Sequence, residues 1–373
     1  MPPTPSLSDP AWDRLVSAHP NGHFLQSSAW GRLRVSQGWQ LRRAVQNGSK
    51  TMDEESLPDI GAQILVQQRP FARFAYIPRG PVCAPDDPRL PDLIAAIDAA
   101  TRDCLFVRIE PHWADEAASH QALAGLALRP AASVQPPSTL RLDLSLGPEA
   151  LLKDMKQKWR YNVGLAARKD VVVREEGAAG AAVLETLVAE TAQRNGFHAR
   201  PQGYYRAVFE SFRNGDATSG VAQLYVARYQ ETPLAATLVI HHGESATYLY
   251  GGSGAEERNR MPNHAIQWHA IEAAREAGLR WYDFWGIPDA IGKALAQGET
   301  LETVPEGEDG LWGVWGFKRG FGGEVWRAAS AFDRVHAPLR YRLAIERLPR
   351  LRATVRSLIA RKDDTERTGD TSR

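Results

Sequence analysis

Cysteine, long apolar runs and targeting signals are scarce or missing in this sequence. Its 373 residues include two cysteines, Cys83 and Cys104. Two are too few for a disulfide framework, so we expect a cytoplasmic protein. No run of about 18 apolar residues occurs, so we expect no membrane-spanning helix, and residues 1–10 lack the pattern of a signal peptide. The net charge of +1 means that any contact with nucleic acid requires a local basic patch.

Motifs for metal, nucleotide and acyl-enzyme chemistry are also missing. No cluster of histidine, cysteine and aspartate has zinc spacing, and neither a P-loop nor a dinucleotide fingerprint occurs. The sequence has no Gly-x-Ser-x-Gly nucleophile elbow that opens a helix. We therefore predict no metal site and no bound cofactor.

The length and the order of predicted elements indicate two domains. A chain of 373 residues exceeds what one hydrophobic core usually supports. Apolar periodicity predicts the same α/β unit twice, as a strand hairpin, a loop, a helix and a further strand. The first copy comprises strands at 61–68, 71–77 and 104–110 and a helix at 90–102. The second copy comprises strands at 222–229, 234–241, 246–250 and 280–285 and a helix at 262–277.

Two stretches are strongly basic. Residues 151–169 are predicted to form one helix with an apolar stripe, and Asp154 is their one acidic residue. Unpaired cations on a helix are unusual, so this surface is either a plain solvated face or a contact for a phosphate backbone. Residues 346–362 are predicted to form a basic helix, and residues 363–373 a disordered tail.

The run from Gly316 to Glu324 places Lys318 among four glycines and two phenylalanines. One interpretation is a surface turn between two strands. The other is a frame in which glycines let the backbone approach a ligand closely, while the lysine faces a phosphate or a developing oxyanion.

The α/β unit invites comparison with GNAT acyltransferases, which hold acetyl-CoA with a glycine-containing loop before a helix. The corresponding residues here, 258–265, contain no glycine. The comparison therefore predicts a GNAT-like fold without acetyl-CoA binding.

Over nearly its whole length the chain resembles the FemA/FemB/FemX family of non-ribosomal peptidyltransferases. The resemblance implies the α/β (α+β) class, with two GNAT-like domains that have mixed sheets and face an interdomain cleft. It implies a first domain at 1–145, completed by 326–345, and a second at 146–325. The segment 175–216 is too short for the coiled-coil insertion of some relatives, and residues 185–194 are predicted to form a single ordinary helix, so the compact FemX-like form is expected. The motifs that carry the resemblance are Phe24–Ser28, Tyr76–Val82, Trp159–Asn162, Gly196–His198, Arg200–Tyr205, Tyr248–Ser253, Tyr282–Gly286 and Gly316–Phe321.

The resemblance implies an aminoacyltransferase of peptidoglycan synthesis. Family members move an amino acid from aminoacyl-tRNA to the side-chain amine of the third stem-peptide residue. Glycine, alanine and serine remain open as the transferred residue, and UDP-MurNAc-pentapeptide and lipid II remain open as the acceptor. We expect a monomer that has peripheral contact with the inner membrane face.

The resemblance also implies roles for individual residues. Lys318 and Phe317 match the pair beside the reaction centre. Arg200 and Tyr204 match a pair that grips the sugar-nucleotide end of the precursor. Further substrate contacts are implied for Arg34, Tyr248 and Tyr250, and the period of two places both of these tyrosines on one strand face. The predicted contacts for tRNA are Lys153, Lys156, Arg160 and Lys169.

Two alternatives remain open at this point. One is a GNAT-fold N-acyltransferase that acts on another amine. The other is a non-catalytic RNA-binding protein with a Fem-like fold.

Overall fold

The structure is a computed structural model that describes residues 7–46, 59–69, 72–126, 128–196, 198–300, 307 and 310–343. The chain divides into two compact units, the first formed by residues 1–135 and 328–373 and the second by residues 136–327. The limits predicted at 145 and 325 fall within the second unit. The predicted helix 346–362 and tail 363–373 lie outside the described residues.

Both units combine helices and strands. The chain begins with α1 (Asp9–Ala18), α2 (Ser28–Ser36), β1 (Gln40–Gln46), β2 (Ile60–Arg69), β3 (Ala72–Pro78), α3 (Leu90–Ala100), β4 (Phe106–Glu110), α4 (Ala117–Ala124) and β5 (Arg129–Pro130). The second unit contains β6 (Ser138–Asp143), α5 (Gly147–Asp154), α6 (Gln157–Arg168), β7 (Val171–Glu175), α7 (Gly177–Asn195), α8 (Tyr204–Phe212), β8 (Val221–Tyr229), β9 (Thr232–His242), β10 (Ser245–Ser253), α9 (Pro262–Glu276), β11 (Trp281–Gly286), α10 (Asp289–Ala296), α11 (Gly310–Lys318) and β12 (Glu324–Arg327). The chain returns to the first unit with β13 (Phe332–Val335) and α12 (Pro338–Tyr341).

The first unit is built on a mixed sheet with the strand order β1-β2-β3-β4-β13-β5. Strands β3 and β4 are parallel, with α3 between them in sequence, and the other neighbours are antiparallel. Leu93 and Ile97 lie one turn apart on α3 and pack into the core with Ile64, Ile77 and Val107 of the strands. This spacing explains why the apolar pattern predicted the helix.

The second unit repeats the arrangement in a sheet with the order β12-β6-β11-β10-β9-β8-β7. Strands β10 and β11 are parallel and α9 connects them, as α3 connects β3 and β4. Helices α7 and α9 cover opposite faces. Tyr225 of β8 packs against His269 of α9, while the neighbouring Leu224 and Val226 lie beside Gly180 of α7. The predicted duplication of an α/β unit is therefore confirmed.

Two helix predictions differ from the structure in their extent. The helix predicted at 151–169 is two helices, because Met155 is extended with ψ 146° and separates α5 from α6. Helix α7 has 19 residues, more than the single short helix predicted at 185–194. The described part of 175–216 thus forms β7, α7 and α8 in place of a long coiled-coil hairpin.

Among the described residues, no helix combines the length and the apolar character needed to cross a bilayer.

Candidate active site

Lys318 is the last residue of helix α11. The chain continues as a 3₁₀ helix over Arg319–Phe321, and Gly322 and Gly323 then turn it into β12. Both glycines have positive φ, +82° and +85°, which other residues adopt only at a cost. The segment is therefore a helix end followed by a turn into a strand, rather than a turn between two strands.

Side chains of the neighbouring helices occupy the space beside two glycines of this segment. A Cβ atom on Gly320 would lie 2.1 Å from the ring of Trp159, and one on Gly322 would lie 2.1 Å from a carboxylate oxygen of Asp154. A Cβ atom on Gly316 would meet none of the described residues within 4 Å. The expectation of close ligand approach is therefore wrong for Gly320 and Gly322, because α5 and α6 already fill that space.

Trp159 of α6 ties this helix to the end of α11. Its indole N–H donates a hydrogen bond of 2.9 Å to the carbonyl oxygen of Phe317. His264 in the first turn of α9 packs edge-on against both Trp159 and Phe317, with ring centroids 5.4 and 5.3 Å away. Burial, helped by Lys158, lowers the pKa of His264 to about 4. The imidazole is therefore neutral at pH 7 and packs as an uncharged ring.

Lys318 is a buried cation. Its side chain is 6 % exposed, and its Nζ donates a hydrogen bond of 2.7 Å to the carbonyl oxygen of Gly286. Nζ also lies 5.9 Å from the ring centroid of Tyr248. Burial lowers the pKa of Lys318 to about 8, and the nearby carboxylate of Asp283 partly opposes that effect. An ammonium group carries three donors, and among the described residues one acceptor, the carbonyl oxygen of Gly286, is bonded to it.

The backbone that accepts this bond from Lys318 has an unusual conformation. Trp285, the residue before Gly286, has φ +60°, which is rare for a bulky side chain. The carboxylate of Asp283 accepts a hydrogen bond of 2.6 Å from the backbone N–H of Trp285. It also accepts one from the hydroxyl of Thr139, which in turn contacts the carbonyl oxygen of Trp285 at 3.0 Å.

Strands β10 and β11 are paired only at their beginnings, over three residue pairs that end at Thr247 and Asp283. A bulge in β10 follows, since Tyr248 is opposite Val239 and Tyr250 is opposite the adjacent Leu238. The bulge sends the two tyrosines to opposite faces of the sheet. The prediction that they share one face is therefore wrong, because a bulge shifts the alternation of side chains by one residue.

Tyr250 belongs to an aromatic cluster with helix α8. Its hydroxyl lies 3.1 Å from that of Tyr204, and its ring is 5.2 Å from that of Tyr205. The guanidinium of Arg200 lies 5.4 Å from the ring centroid of Tyr204. Burial raises the pKa of Tyr250, so its hydroxyl stays protonated. The structure thus brings together the predicted residues Arg200, Tyr204 and Tyr250.

Tyr248 packs on the other face, toward Phe284 of β11 and Lys318. Together with Phe317 it lines a cavity of about 320 Å³ between the end of α7 and the start of α9. Arg194 and Arg258 also line this cavity. Tyr248, Phe317 and Lys318 therefore form a second group of predicted residues.

Arg34 lies in the first unit, on α2. Its guanidinium lies over the ring of Trp39 at 4.9 Å and donates a bond of 2.5 Å to the side chain of Gln37. It is 8 % exposed, so the side chain is buried rather than solvated on the surface of α2. Its substrate contact stays a prediction.

Three of the four predicted tRNA contacts lie around the junction of α5 and α6, and the fourth, Lys169, follows the end of α6. Lys153, Lys156 and Arg160 are exposed, and no ion pair joins them to an acid of the described chain. Asp154, the one acid among residues 151–169, accepts a bond of 2.7 Å from the backbone N–H of Gly323. Lys169 differs from the other three, since it is half-buried and donates a bond of 3.0 Å to the carbonyl oxygen of Asn259.

Sequence reasoning missed the roles of Trp159, His264 and Asp283. The Tyr-Asp-Phe-Trp-Gly motif at 282–286 contained a signal, because an aspartate two residues before a bulky residue and a glycine is typical of a side-chain-stabilised turn. Nothing local in the sequence indicates that Trp159 lies beside Gly320.

Comparisons with known proteins agree with this architecture. The model of the FemAB family matches residues 7–232 and 219–346. The lipid II:glycine glycyltransferase of Staphylococcus saprophyticus is 23 % identical over 410 residues, which cover 90 % of this chain and 93 % of the relative. The enzyme of the same name from Staphylococcus aureus is 23 % identical over 419 residues, which cover 91 % of this chain and 94 % of that relative. A crystal structure of FemX superposes with a TM-score of 0.78 at 21 % identity, covering 91 % of this chain and 98 % of that one.

The fold and these matches define an enzyme of the aminoacyltransferase class. Since the family model spans most of the chain, the protein belongs to the FemAB family. The predicted resemblance and the predicted GNAT-like class of fold are thereby confirmed.

Proposed function

We propose that this protein transfers an amino acid from aminoacyl-tRNA to the side-chain amine of the third stem-peptide residue of a peptidoglycan precursor. The names of the relatives favour glycine as the transferred residue and lipid II as the acceptor. The observation that carries the proposal is Lys318, a buried cation fixed by Gly286 beside Tyr248 and Phe317. A fixed cation in a water-poor site suits a reaction that develops negative charge.

The chemistry requires positioning more than covalent catalysis. The amine nitrogen attacks the ester carbonyl of the aminoacyl-tRNA, and the carbonyl oxygen becomes an oxyanion. The bond from carbon to the ribose oxygen then breaks, an amide forms, and the proton lost by the amine ends on the ribose hydroxyl. The ester is already activated, so the enzyme lowers the barrier by orienting the reactants and by stabilising the oxyanion.

Lys318 is assigned to the oxyanion or to a precursor phosphate. One of its three N–H groups is directed to Gly286, which orients the other two. With a pKa lowered to about 8 by burial, Lys318 is mostly an ammonium at pH 7 and can donate to an anion. Phe317 forms part of the cavity wall next to Lys318, and its ring packs against that of His264.

Arg200, Tyr204 and Tyr250 are assigned to the acceptor. A guanidinium can bind two oxygens of a diphosphate at once, and the stacking of Arg200 on Tyr204 restricts its orientation. The bond between the hydroxyls of Tyr204 and Tyr250 fixes the two rings against each other. Arg34 is assigned to the acceptor as well.

Helices α5 and α6 are assigned to the tRNA. Exposed cations without acidic partners favour a phosphate backbone. Lys153, Lys156 and Arg160 are exposed and form no ion pair with an acid of the described part of the chain. Trp159 bonds α6 directly to Phe317, so RNA held on this helix is linked to the segment of Lys318. Lys169 is assigned a smaller part, because its ammonium already bonds to Asn259.

The test is a transfer assay with mass analysis of the products. The protein is incubated with glycyl-, alanyl- or seryl-tRNA and with either UDP-MurNAc-pentapeptide or lipid II in detergent. We expect the acceptor to gain the mass of one amino acid, and blocking the amine of the third stem residue should prevent the gain. A separate arm with acetyl-CoA tests the N-acyltransferase alternative, and acetylation there without transfer from tRNA would overturn the proposal. Binding of tRNA without any product would favour the non-catalytic alternative.

A further inference from the structure

The end of β11 is strained, and the strain has an identifiable cause. Trp285 has φ +60°, a conformation that a bulky residue keeps only when its surroundings impose it. The two preceding inward side chains, Tyr282 and Phe284, are fully buried in the core, so the strand up to that point is held by packing. The departure coincides with the end of the pairing with β10 at Asp283 and with an irregularity in the pairing with β6 between Asp283 and Gly286.

Asp283 accepts hydrogen bonds on either side of this turn. Its carboxylate accepts from the backbone N–H of Trp285 at 2.6 Å and from the hydroxyl of Thr139. The same hydroxyl lies 3.0 Å from the carbonyl oxygen of Trp285. Asp283 and Thr139 therefore bracket the peptide groups on both sides of Trp285.

The turn at Trp285 sets the direction of the carbonyl group of the next residue, Gly286. Gly286 follows Trp285, and its carbonyl oxygen accepts the bond of 2.7 Å from Lys318 Nζ. A relaxed extended Trp285 would rotate that carbonyl away from its present position. Asp283 also acts on Lys318 through its charge, and it is the one carboxylate of the described chain with this influence.

We propose that Asp283 is a positioning residue for Lys318: its carboxylate holds Trp285 in the left-handed conformation and thereby aims the carbonyl of Gly286 at the ammonium group. The catalytic consequence of this inference rests on the proposed function, whereas the geometry does not. Asp283 thus has two separable effects on Lys318, one through the turn and one through its negative charge.

The first experiment measures Lys318 without turnover. The protein is labelled with [6-¹³C]lysine, the signal of Lys318 is identified by its loss in Lys318→Arg, and its pKa is read from a pH titration. Among the described residues, Asp283 from β11 is the titratable group whose charge acts on Nζ. Tyr248 from β10 lies beside it, with its ring centroid 5.9 Å from Nζ, and burial raises the pKa of this tyrosine to about 12. In Asp283→Asn, which keeps an oxygen acceptor, we expect the pKa of Lys318 to fall by about 1 unit, the lower end for a lost opposite charge. An unchanged pKa would overturn the electrostatic part.

The second experiment separates the turn from the charge by kinetics. Asp283→Ala removes both, and we expect kcat to fall about 100-fold, as for a catalytic group displaced by about 1 Å. Asp283→Asn should lower kcat much less than Asp283→Ala does. Adding Trp285→Gly to Asp283→Ala should restore part of kcat, because glycine adopts positive φ without cost. The matched control adds Trp281→Gly, at an ordinary position of the same strand, and should restore nothing.

The outcomes distinguish this inference from the proposed function. A folded Asp283→Ala variant with unchanged kcat, or equal effects of Trp285→Gly and Trp281→Gly, would overturn the positioning role. If the unmodified protein transfers no amino acid, the function proposed above fails, while the titration of Lys318 still decides whether Asp283 acts on it.

Discussion

The indole N–H of Trp159 bonds to the carbonyl oxygen of Phe317 at 2.9 Å. This bond joins the basic helix α6 to the residue before Lys318. The backbone N–H of Lys156 adds a second bond of 2.9 Å, to the carbonyl oxygen of Gly320. The surface assigned to RNA and the cation assigned to the reaction are therefore parts of one packed arrangement, in which a shift of α6 would displace Lys318.

The glycines near Lys318 provide a test of this packing. In Gly320→Ala the new Cβ atom would lie 2.1 Å from the Trp159 ring, so we expect a loss of roughly 1–3 kcal/mol in the free energy of unfolding from overpacking. Gly316→Ala is the matched control, because its Cβ atom would meet none of the described residues within 4 Å. It should be neutral or stabilising by up to about 1 kcal/mol, since alanine favours a helix. Chemical denaturation measures both, and equal stabilities would contradict the role given to Trp159.

The burial of Lys318 predicts a pH dependence of stability. Its pKa in the folded protein is about 8, below its ordinary value of 10.5, so the unfolded chain binds its proton more tightly. Below pH 8 both states are protonated and the contribution is constant. Between about pH 8 and 10.5 the contribution of Lys318 to the free energy of unfolding rises, by about 1.4 kcal/mol per pH unit at most.

Lys318→Met isolates this contribution from other titrating groups. At pH 7 the variant should be as stable as the unmodified protein or more so, because it removes the cost of a buried charge. The difference should move in favour of the unmodified protein as pH rises from 8 to 10. Denaturation curves at pH 7, 8, 9 and 10 give the comparison, and a constant difference would mean that Lys318 titrates normally.

Arg200 and Tyr204 should govern the binding of the acceptor. Arg200→Lys keeps the charge but loses the geometry that binds two oxygens. Tyr204→Phe loses the bond to Tyr250. For each variant we expect KM for the precursor to rise several-fold with kcat little changed. Such a pattern indicates the loss of an interaction that binds the substrate and the transition state equally well. Arg206→Ala removes an exposed cation of the same helix and is the control. Steady-state kinetics decide, and an equal effect of all three changes would contradict the assignment.

The exposed cations of α5 and α6 should bind RNA electrostatically. The triple change of Lys153, Lys156 and Arg160 to alanine should weaken tRNA binding and reduce the slope of log affinity against log salt by about 1 per lost phosphate contact. Fluorescence anisotropy at several salt concentrations measures both. Lys293→Ala is the control, because this exposed lysine already pairs with Asp289 at 3.0 Å. An unchanged slope in the triple variant would mean that tRNA binds to another surface of the protein.

Local patterns predicted the repeated α/β unit because its strands and helices bury apolar residues with regular periods. The strand pairs β2-β3 and β9-β10 and the helices α3 and α9 follow those periods closely. The residues of the candidate site were found as motifs, whereas their arrangement was not.

Three errors have physical causes outside local periodicity. The bulge after Tyr248 depends on how β10 pairs with β9. The break at Met155 comes with the bond from Lys156 to Gly320, a residue far along the chain. Gly320 itself is required by the ring of Trp159. The last two involve contacts between residues more than 150 positions apart, which neither local pattern can indicate.

The central claim is that the buried ammonium of Lys318 serves aminoacyl transfer, and single-turnover transfer from glycyl-tRNA tests it most directly. Lys318→Ala should lower the rate by about 100- to 1,000-fold, the effect of losing one donor to an oxyanion, while circular dichroism and the denaturation midpoint show an intact fold. Lys318→Arg, which keeps the charge in a different shape, should retain part of the activity. A folded Lys318→Ala protein that transfers glycine at the unmodified rate would contradict the account.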